Sequence, residues 1–344
     1  MDEPVLIDEW QAVPEAFPAV KRAVDADGRP GRFLLTGSAY GDIEGATAAG
    51  TGRIVRLLLY GMTVREQTGQ VARSTLIDRL ARGERIEAPD ARLDLRDYLD
   101  LALSSGFPDA LELSSAGARQ RWLEGYAAQI TTRDATGLAS GRDPARLRRF
   151  LEAYALNSAK ITEAKTIYEA AGIDRKTAVA YEGLLENVFV VEAIPAWTSN
   201  RLKRLSLAPK RYLLDAGIMA AVLRMDMASI LADVRMLGRV FDTFVVSQLR
   251  GELEVSTSRP RLYHLHNRDG SREVDIVAEL GGGRVVGFEI KASATARPQD
   301  ARHLDWLRDQ LGDRFVAGVV FHTGPHVFPL GERITALPVS TIWA

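Results

Sequence analysis

Short apolar runs that end in polar residues recur along the sequence, and stretches with helical spacing separate them. Residues 4–9 read Pro-Val-Leu-Ile-Asp-Glu, as expected of a buried parallel strand with carboxylates at its end. Residues 33–38 read Phe-Leu-Leu-Thr-Gly-Ser, and residues 54–60 form a third candidate strand. Residues 14–25 have helical spacing between the first two strands. This alternation predicts an α/β fold.

The chain of 344 residues has a net charge of −1 and no cysteine. Disulfides and thiolate zinc sites are therefore excluded. Because no basic excess runs through the whole chain, any contact with nucleic acid must come from a local patch. The apolar runs are too short to span a bilayer, and no signal peptide is recognised. We therefore expect a cytoplasmic protein without membrane contact.

Composition and punctuation predict four segments along the chain. They are a partial sheet (1–70), a charged helical region (71–146), a helix-rich unit (147–217) and a second α/β unit (218–344). The last unit should contain a helix at 239–253, strands at 261–266, 272–279 and 284–290, a helix at 301–311 and a strand at 315–322. His264 and His266 alternate on one of these strands, and we interpret them as ordinary strand residues.

The first two strand motifs carry a candidate nucleotide site. Residues 6–9 have the form of a Walker B element, in which Asp8 would approach Mg²⁺ and Glu9 the attacking water. Thr36 and Ser38 are candidate sensors of the γ-phosphate, and Arg53 is a candidate cation for phosphate. The alternative is a strand whose polar end merely caps a helix.

A longer pattern continues these motifs. It comprises Val-Leu-Ile-Asp-Glu-Trp-Gln at residues 5–11, Gly-Arg-Phe-Leu-Leu-Thr-Gly-Ser-Ala at residues 31–39, and the pair Gly52-Arg53. Together these segments resemble a family of prokaryotic AAA-type ATPases, in which they are the Walker B strand, the sensor strand and a trailing Gly-Arg. The resemblance extends over the rest of the chain, where the family carries a winged helix and a restriction-endonuclease-like domain of unknown function.

A Walker A loop is missing from this sequence. That loop, G-x-x-x-x-G-K-[ST], wraps phosphates in backbone N–H groups and brings a lysine to them. No glycine in the chain is followed by lysine, and in the family the loop lies upstream of the strand that here begins at residue 4. We therefore expect an N-terminally truncated chain, through a misassigned start codon or a shortened gene. ATP should bind only if the missing part is supplied.

Residues 160–191 read as helix, turn, helix and strand. Gly172 lies in the turn, and Asp174 is a candidate N-cap of the second helix. Arg175 and Lys176 occupy the first turn of that helix, where a recognition helix contacts DNA. The pattern predicts a winged-helix domain. The alternative is a small helical unit used for packing, with solvated arginines.

A basic stretch follows in the position of a wing. Its candidate DNA-binding residues are Arg201, Lys203, Arg204 and Arg211, and Lys210 lies in the same stretch. Residues 209–217, Pro-Lys-Arg-Tyr-Leu-Leu-Asp-Ala-Gly, resemble the Pro-Lys-x-Tyr-x-x-Asp-x-Gly signature of the same family. We expect this stretch to form a positive face on the winged-helix unit.

The C-terminal unit carries a candidate metal site. Glu289 and Lys291 share one face of a strand, and the glycine turn at residues 281–283 can bring Asp275 opposite them. Such a group can hold Mg²⁺ and position water for phosphodiester cleavage. It resembles the D…E-x-K core of restriction-endonuclease-like folds, where Asp242 would be a further metal ligand although the family favours glutamate there. The alternative is a cross-strand ion pair that faces solvent.

These motifs support three functional hypotheses. The leading one is a nucleotide-dependent, DNA-associated protein of the AAA-type ATPase family whose nucleotide site is incomplete in this chain. The second is an Mg²⁺-dependent DNA nuclease that uses the C-terminal site. The third is a non-catalytic interaction protein or a truncated gene product. DNA is the expected partner, with a protein partner or a homo-oligomer as alternatives.

Overall fold

The computed structural model describes residues 4–13, 15–37, 53–71, 73–134, 143–200, 204, 207–267 and 271–344. The α-helices are α1 (Ala16–Ala26), α2 (Val64–Gln67), α3 (Leu76–Ala81), α4 (Leu95–Ser104), α5 (Pro108–Leu111), α6 (Ala116–Gln129), α7 (Pro144–Ala155), α8 (Ala164–Ala170), α9 (Arg175–Asn187), α10 (Ala216–Leu223), α11 (Met227–Ala232), α12 (Val234–Leu253) and α13 (Arg302–Leu311). The strands are β1 (Val5–Ile7), β2 (Phe33–Leu35), β3 (Lys160–Ile161), β4 (Val191–Ile194), β5 (Lys210–Leu213), β6 (Arg261–His266), β7 (Glu273–Glu279), β8 (Val285–Ile290), β9 (Phe315–His322), β10 (Phe328–Gly331) and β11 (Ile334–Pro338). The chain is thus a mixed α/β protein.

The N-terminal part contains a two-stranded parallel sheet. Strands β1 and β2 pair with Leu6 opposite Leu34, and α1 connects them. The prediction of a third strand at residues 54–60 is wrong, because these residues, all of which the structure describes, form no strand. Their apolar side chains are largely exposed, with Leu59 reaching 91%. No buried sheet face therefore holds this segment in a ladder.

The helical middle is organised around α10. Nearly all of its residues are apolar or small, and the helix contacts α4, α6, α7 and α12. A helix that is apolar on all sides is stable only when other elements surround it. Asp215 caps its N-terminus by accepting a hydrogen bond from the backbone N–H of Ile218 at 2.8 Å. This helix belongs to the same apolar core as Tyr98, Phe241 and Trp343.

Residues 144–213 form three helices and a small sheet. In chain order they are α7, β3, α8, α9, β4 and β5, and the strands lie in the antiparallel order β3-β5-β4. Gly172, with a φ of 66°, makes the turn between α8 and α9. Asp174 accepts a hydrogen bond from the backbone N–H of Thr177 at 3.0 Å, as expected of an N-cap.

The C-terminal part is a six-stranded mixed sheet in the order β10-β11-β9-β8-β7-β6. The four strands and two helices that were predicted for this part are confirmed, and β10 and β11 are additional. Helix α13 covers one face, where Val277, Phe315 and Val320 pack. The other face, which includes the stacked rings of Phe288 and Phe321, joins the core of the helical middle. The sheet is therefore buried on both faces.

The apolar core is continuous through the helical middle and the C-terminal sheet. Its members extend from Val64 in α2 to Trp343 near the end of the chain. Helix α3 lies against β8 and β9, so the region that follows the N-terminal sheet covers the C-terminal sheet. Among the helices that the structure describes, none combines the length and the apolarity needed to cross a membrane.

Candidate functional site

The candidate nucleotide residues lie at the carboxyl ends of β1 and β2. Because these strands are parallel, Asp8 and Thr36 follow neighbouring strand ends on the same edge of the sheet. The Thr36 hydroxyl donates a hydrogen bond to Asp8 Oδ1 at 2.5 Å, and the Thr36 backbone N–H bonds to Ile7 O at 3.0 Å. Asp8 and Thr36 are thus brought together as the sequence predicts.

Glu9 adopts an unusual backbone conformation beside this pair. Its φ of 47° and ψ of 44° lie in the left-handed region, which residues other than glycine seldom occupy. Such conformations concentrate at functional sites, where the surrounding structure maintains the strain. The turn leads directly into the helical turn at Trp10–Ala12 and directs the chain away from the strand end.

Arg53 lies beside α1 in this structure. Its Nε forms an ion pair with Asp25 Oδ1 at 2.7 Å, and both side chains are close to half exposed. The guanidinium is therefore held by a carboxylate of α1, and its approach to phosphate stays a prediction. The predicted sensor Ser38 lies outside the described residues.

The C-terminal site brings carboxyl and ammonium groups together. Asp275 on β7 accepts from the Ile290 backbone N–H at 3.0 Å through Oδ2. Its other oxygen, Oδ1, accepts from Lys210 Nζ at 2.8 Å. Glu289 on β8 binds Lys291 Nζ through Oε2 at 2.9 Å. We call Lys210, Asp242, Asp275, Glu289 and Lys291 the carboxylate cluster.

The charges of the carboxylate cluster act strongly on one another. Burial, followed by the charge of Asp275, raises the pKa of Glu289 to about 8 and also raises the pKa of Asp242. Burial alone would raise the pKa of Asp275 as well, but the ammonium groups of Lys210 and Lys291 outweigh it and hold this pKa below its usual value. Three carboxyl groups thus face two ammonium groups, and Asp275 is the carboxyl group whose charged form the ammonium groups stabilise most.

The predicted metal site at Asp242, Asp275 and Glu289 differs from what is found. In the described ranges, no three histidine or acidic side chains are grouped so that they could hold a metal ion. Both oxygens of Asp275 are engaged by Lys210 and by a backbone N–H. Glu289 Oε1 has no hydrogen-bond partner and lies 4.0 Å from His303 Nδ1. Because both oxygens of Asp275 and one oxygen of Glu289 are already bound within the protein, these residues as arranged do not fit a divalent cation.

Lys210 is the residue whose position was not foreseen. It was expected in a solvent-facing wing, yet it is only 2% exposed and its pKa is raised, because the carboxylate of Asp275 more than offsets the effect of burial. A signal was present in the sequence. Lys210 alternates with Tyr212 on β5, and all four residues of this strand are buried. A lysine on the face that also carries a buried tyrosine points inward.

The predicted positive face is also corrected. Arg204 pairs with Glu279, and its guanidinium lies 4.8 Å from the ring centroid of Tyr263. Arg211 is buried and binds Glu182 Oε1 at 2.7 Å. Neither side chain is presented to solvent, because each is bound by an acidic partner within the fold. Arg201 and Lys203 lie outside the described residues.

The segment that follows β4 explains this burial. Ala196 bridges to His264 of β6, and the Trp197 backbone N–H donates to His264 O at 2.6 Å. The His264 ring contacts Ala208 O through Nε2 at 3.0 Å. The described parts of the expected wing therefore lie against the C-terminal sheet. By contrast, Arg175 and Lys176 at the start of α9 are exposed, as predicted for residues that would contact DNA.

Comparison with known families gives three matches along the chain. Residues 2–68 match an AAA domain. Residues 95–229 match one domain of unknown function (DUF8612), and residues 237–342 match another (DUF4143). The AAA match contains Asp8, Glu9 and Thr36, and the C-terminal match contains the carboxylate cluster except Lys210.

Similar proteins are found in two mycobacteria. An uncharacterized protein of Mycobacterium bovis and one of Mycobacterium tuberculosis are each 29% identical to this chain over 340 residues, which cover 98% of the chain and 69% of the relative. No solved structure matches the chain. The AAA domain at one end and the domain of unknown function at the other support the assignment of this chain to an AAA-type ATPase family with a C-terminal domain of unknown function.

Proposed function

We propose that this chain has an ATPase-like function. It supplies the half of the nucleotide site that binds Mg²⁺ and senses the γ-phosphate. The observation that carries the proposal is the hydrogen bond between Thr36 and Asp8 at the carboxyl ends of two parallel strands. Ligands of open α/β sheets bind outside these strand ends. The AAA match over the same residues supports the ATPase-like function.

The side chains divide the work by their chemistry. Asp8 would hold Mg²⁺ that is bound to the phosphates of ATP, and Glu9 would orient the attacking water. The Thr36 hydroxyl fixes the direction of the Asp8 carboxylate and would report the γ-phosphate together with Ser38. Arg53 would contact phosphate after exchanging its Asp25 partner for the more highly charged ligand.

The test measures Mn²⁺ binding without ATP to the 344-residue chain through water-proton relaxation, because this probes the metal-binding half of the site by itself. We expect weak binding that Asp8→Asn abolishes and Thr36→Val weakens, while Asp90→Asn at an exposed carboxylate serves as the control. Binding that neither Asp8→Asn nor Thr36→Val alters would refute the proposal. We expect no ATP turnover, because no Walker A lysine cradles the phosphates. Turnover that Glu9→Gln abolishes would contradict that requirement.

A second proposal is that residues 144–213 form a winged-helix unit that contacts DNA through α9. Two observations support it, namely the order of helices and strands and the exposure of Arg175 and Lys176 in the first turn of α9. A helix in this position can enter a major groove, with its N-terminal residues nearest the bases. The revised contact surface excludes Arg204 and Arg211, which are bound inside the fold.

Fluorescence anisotropy with a duplex oligonucleotide tests this contact. Reversal of both charges in Arg175→Glu and Lys176→Glu should weaken binding and lower the slope of log affinity against log salt by about 2, since two phosphate contacts are lost. Arg92→Glu, at an exposed position of the helical region, should leave binding unchanged. If the double reversal binds DNA like the wild type, α9 is not the contact. Its exposed face would then be available to a protein partner.

A further inference from the structure

Lys210 reaches from one sheet of the protein into another. It belongs to β5 of the small antiparallel sheet, whereas its partner Asp275 belongs to β7 of the C-terminal sheet. The two residues are 65 positions apart in the chain. Lys210 is almost completely buried, and its Nζ lies 5.7 Å from the centroid of the Tyr212 ring. The ammonium group is therefore enclosed by protein on the side of β5 and on the side of β7.

An ammonium ion withdrawn from water in this way needs compensating charge. A buried cation is stable only when carboxylates pair with it and geometry is good. Asp275 meets this need with a short contact at 2.8 Å, and Asp242 adds its charge from α12. The same carboxyl groups would repel one another if no cation stood among them. Lysine and carboxylates thus require each other for folding.

We propose that Lys210 is a built-in cation that takes the place of a divalent metal in the nuclease-like site. Asp275 Oδ1, which could otherwise bind a metal, is bound to the ammonium group of Lys210. The carboxylates of the C-terminal domain consequently bind Lys210 of the small sheet where they would otherwise bind Mg²⁺. The Pro-Lys-x-Tyr signature, which contains Lys210, is the segment by which the small sheet docks on this domain. This function is separate from the nucleotide site at Asp8.

Neighbouring contacts support a docking role for the same surface. Arg204 pairs with Glu279 at the end of β7. His264 of β6 bonds to both ends of the connection between β4 and β5: its carbonyl oxygen accepts from the Trp197 N–H, and its ring Nε2 donates to Ala208 O. Lys210 thus lies at the buried end of a continuous interface between the two sheets. A metal ion in its place would leave β5 without this attachment.

The first test asks whether the wild-type site takes a metal. The measurements use an Asp8→Asn background, which removes the other proposed metal-binding residue. We expect no Mn²⁺ bound at the carboxylate cluster by paramagnetic relaxation and no rise in the midpoint of thermal unfolding with Mn²⁺ or Mg²⁺. Mn²⁺ binding that disappears in Asp275→Asn would overturn the proposal. This measurement requires no change at Lys210.

The second test removes the internal cation. Lys210→Ala should lower the midpoint of thermal unfolding by roughly 10 °C, because it leaves a buried carboxylate unpaired. Mn²⁺ should restore part of this loss by entering the vacated position, and adding Asp275→Asn should abolish the restoration. Lys165→Ala, whose ion pair with Glu169 is exposed, is the control and should change neither value. An unchanged midpoint in Lys210→Ala, or a lowered one that does not respond to Mn²⁺, would overturn the proposal.

A third variant covers the case in which Lys210→Ala does not fold. Lys210→Met with Asp275→Asn removes both charges and keeps the volumes, so the buried site has no unpaired ion. We expect this double variant to fold, and we expect Mn²⁺ to leave its midpoint of thermal unfolding unchanged. If Lys210→Met alone is as stable as the double variant, Asp275 does not depend on the lysine and the proposal fails.

Discussion

At the scale of single residues, burial decides which polar groups carry charge. His264 is 1% exposed, and its Nε2 contacts a backbone carbonyl. Burial lowers the pKa of His264 to about 4, while the contact with Ala208 opposes this change. The charges of Lys210 and His266 lower the pKa further. The histidine is therefore neutral in the folded protein well below the pH at which an exposed histidine becomes protonated.

This lowered pKa predicts a loss of stability in acid. Between pH 6.5 and pH 4, His264 is protonated in the unfolded chain but stays neutral in the folded chain. Because the unfolded state binds more protons, the free energy of unfolding falls as the pH falls. The loss reaches about 3 kcal/mol at the lower end of this window. Urea unfolding at pH 7 and pH 4.5 gives the decrease in the free energy of unfolding between the two pH values. This decrease should be about 2 kcal/mol smaller in His264→Gln than in the wild type. His326→Gln, at an exposed position, should follow the wild type, and equal losses in all three proteins would contradict the assignment.

At the scale of elements, one turn and one carboxylate join helices that are distant in the chain. The turn after α4 places Gly106 against the backbone of Met62, whose N–H donates to Gly106 O at 2.7 Å. Asp215, the N-cap of α10, accepts from Ser105 Oγ at 2.8 Å and from the Gly106 N–H at 2.9 Å. Burial raises the pKa of Asp215, although these hydrogen bonds oppose the change. The close approach of the Gly106 backbone to the Met62 backbone requires a residue without a side chain at position 106.

Substitution of Gly106 should therefore be costly. A Cβ added there would lie 2.8 Å from Met62 O and 2.9 Å from Gly61 C, and both neighbours are backbone atoms that cannot move alone. We expect Gly106→Ala to lower the free energy of unfolding by about 1–3 kcal/mol. Gly117→Ala on α6 meets open space and should be neutral or stabilising by up to about 1 kcal/mol. Denaturant unfolding of the pair measures the contrast, and equal effects would show that the turn relaxes.

At the scale of the whole molecule, Arg65 connects three distant parts of the chain. Its guanidinium in α2 pairs with Glu252 of α12 at 2.6 Å and donates to the backbone carbonyl of Ile342. Glu252 also accepts from the Leu76 N–H at 3.1 Å, so it positions α3 as well. The end of the segment that matches the AAA domain is thereby attached to the C-terminal part of the chain.

Breaking this buried ion pair should be strongly destabilising. Arg65 and Glu252 are both at least nine-tenths buried, so Arg65→Ala leaves an uncompensated carboxylate and should cost about 3–5 kcal/mol. Arg82→Ala removes a pair with Glu84 in which both partners are more than two-fifths exposed, and its effect should stay within about 0.5 kcal/mol. Thermal and denaturant unfolding provide the measurement. Similar effects of the two substitutions would mean that Arg65 does not hold the segments together.

The sequence by itself determined most elements of the C-terminal part and the closeness of Asp8 and Thr36. The alternation in the C-terminal part and the helical spacing of α13 depend on nearest neighbours, which is why these elements were predicted within a residue or two. The end of α12 was also predicted, but the helix begins at Val234, before the predicted start at residue 239. The closeness of Asp8 and Thr36 also followed locally, since polar residues after parallel strands must meet at one edge. The prediction of a strand at residues 54–60 is wrong because a strand needs a partner strand, which the apolar pattern alone does not supply.

Only the tertiary structure decided where the basic residues point. Lys210, Arg204 and Arg211 share a basic stretch, and a local pattern makes them look like one positive face. Their partners lie 65, 75 and 29 residues away in the chain, in elements whose placement follows from packing of the whole core. A carboxylate brought near by such packing turns an apparent DNA contact into a buried ion pair. Whether a basic residue can contact DNA therefore depends on which opposite charge the fold places beside it.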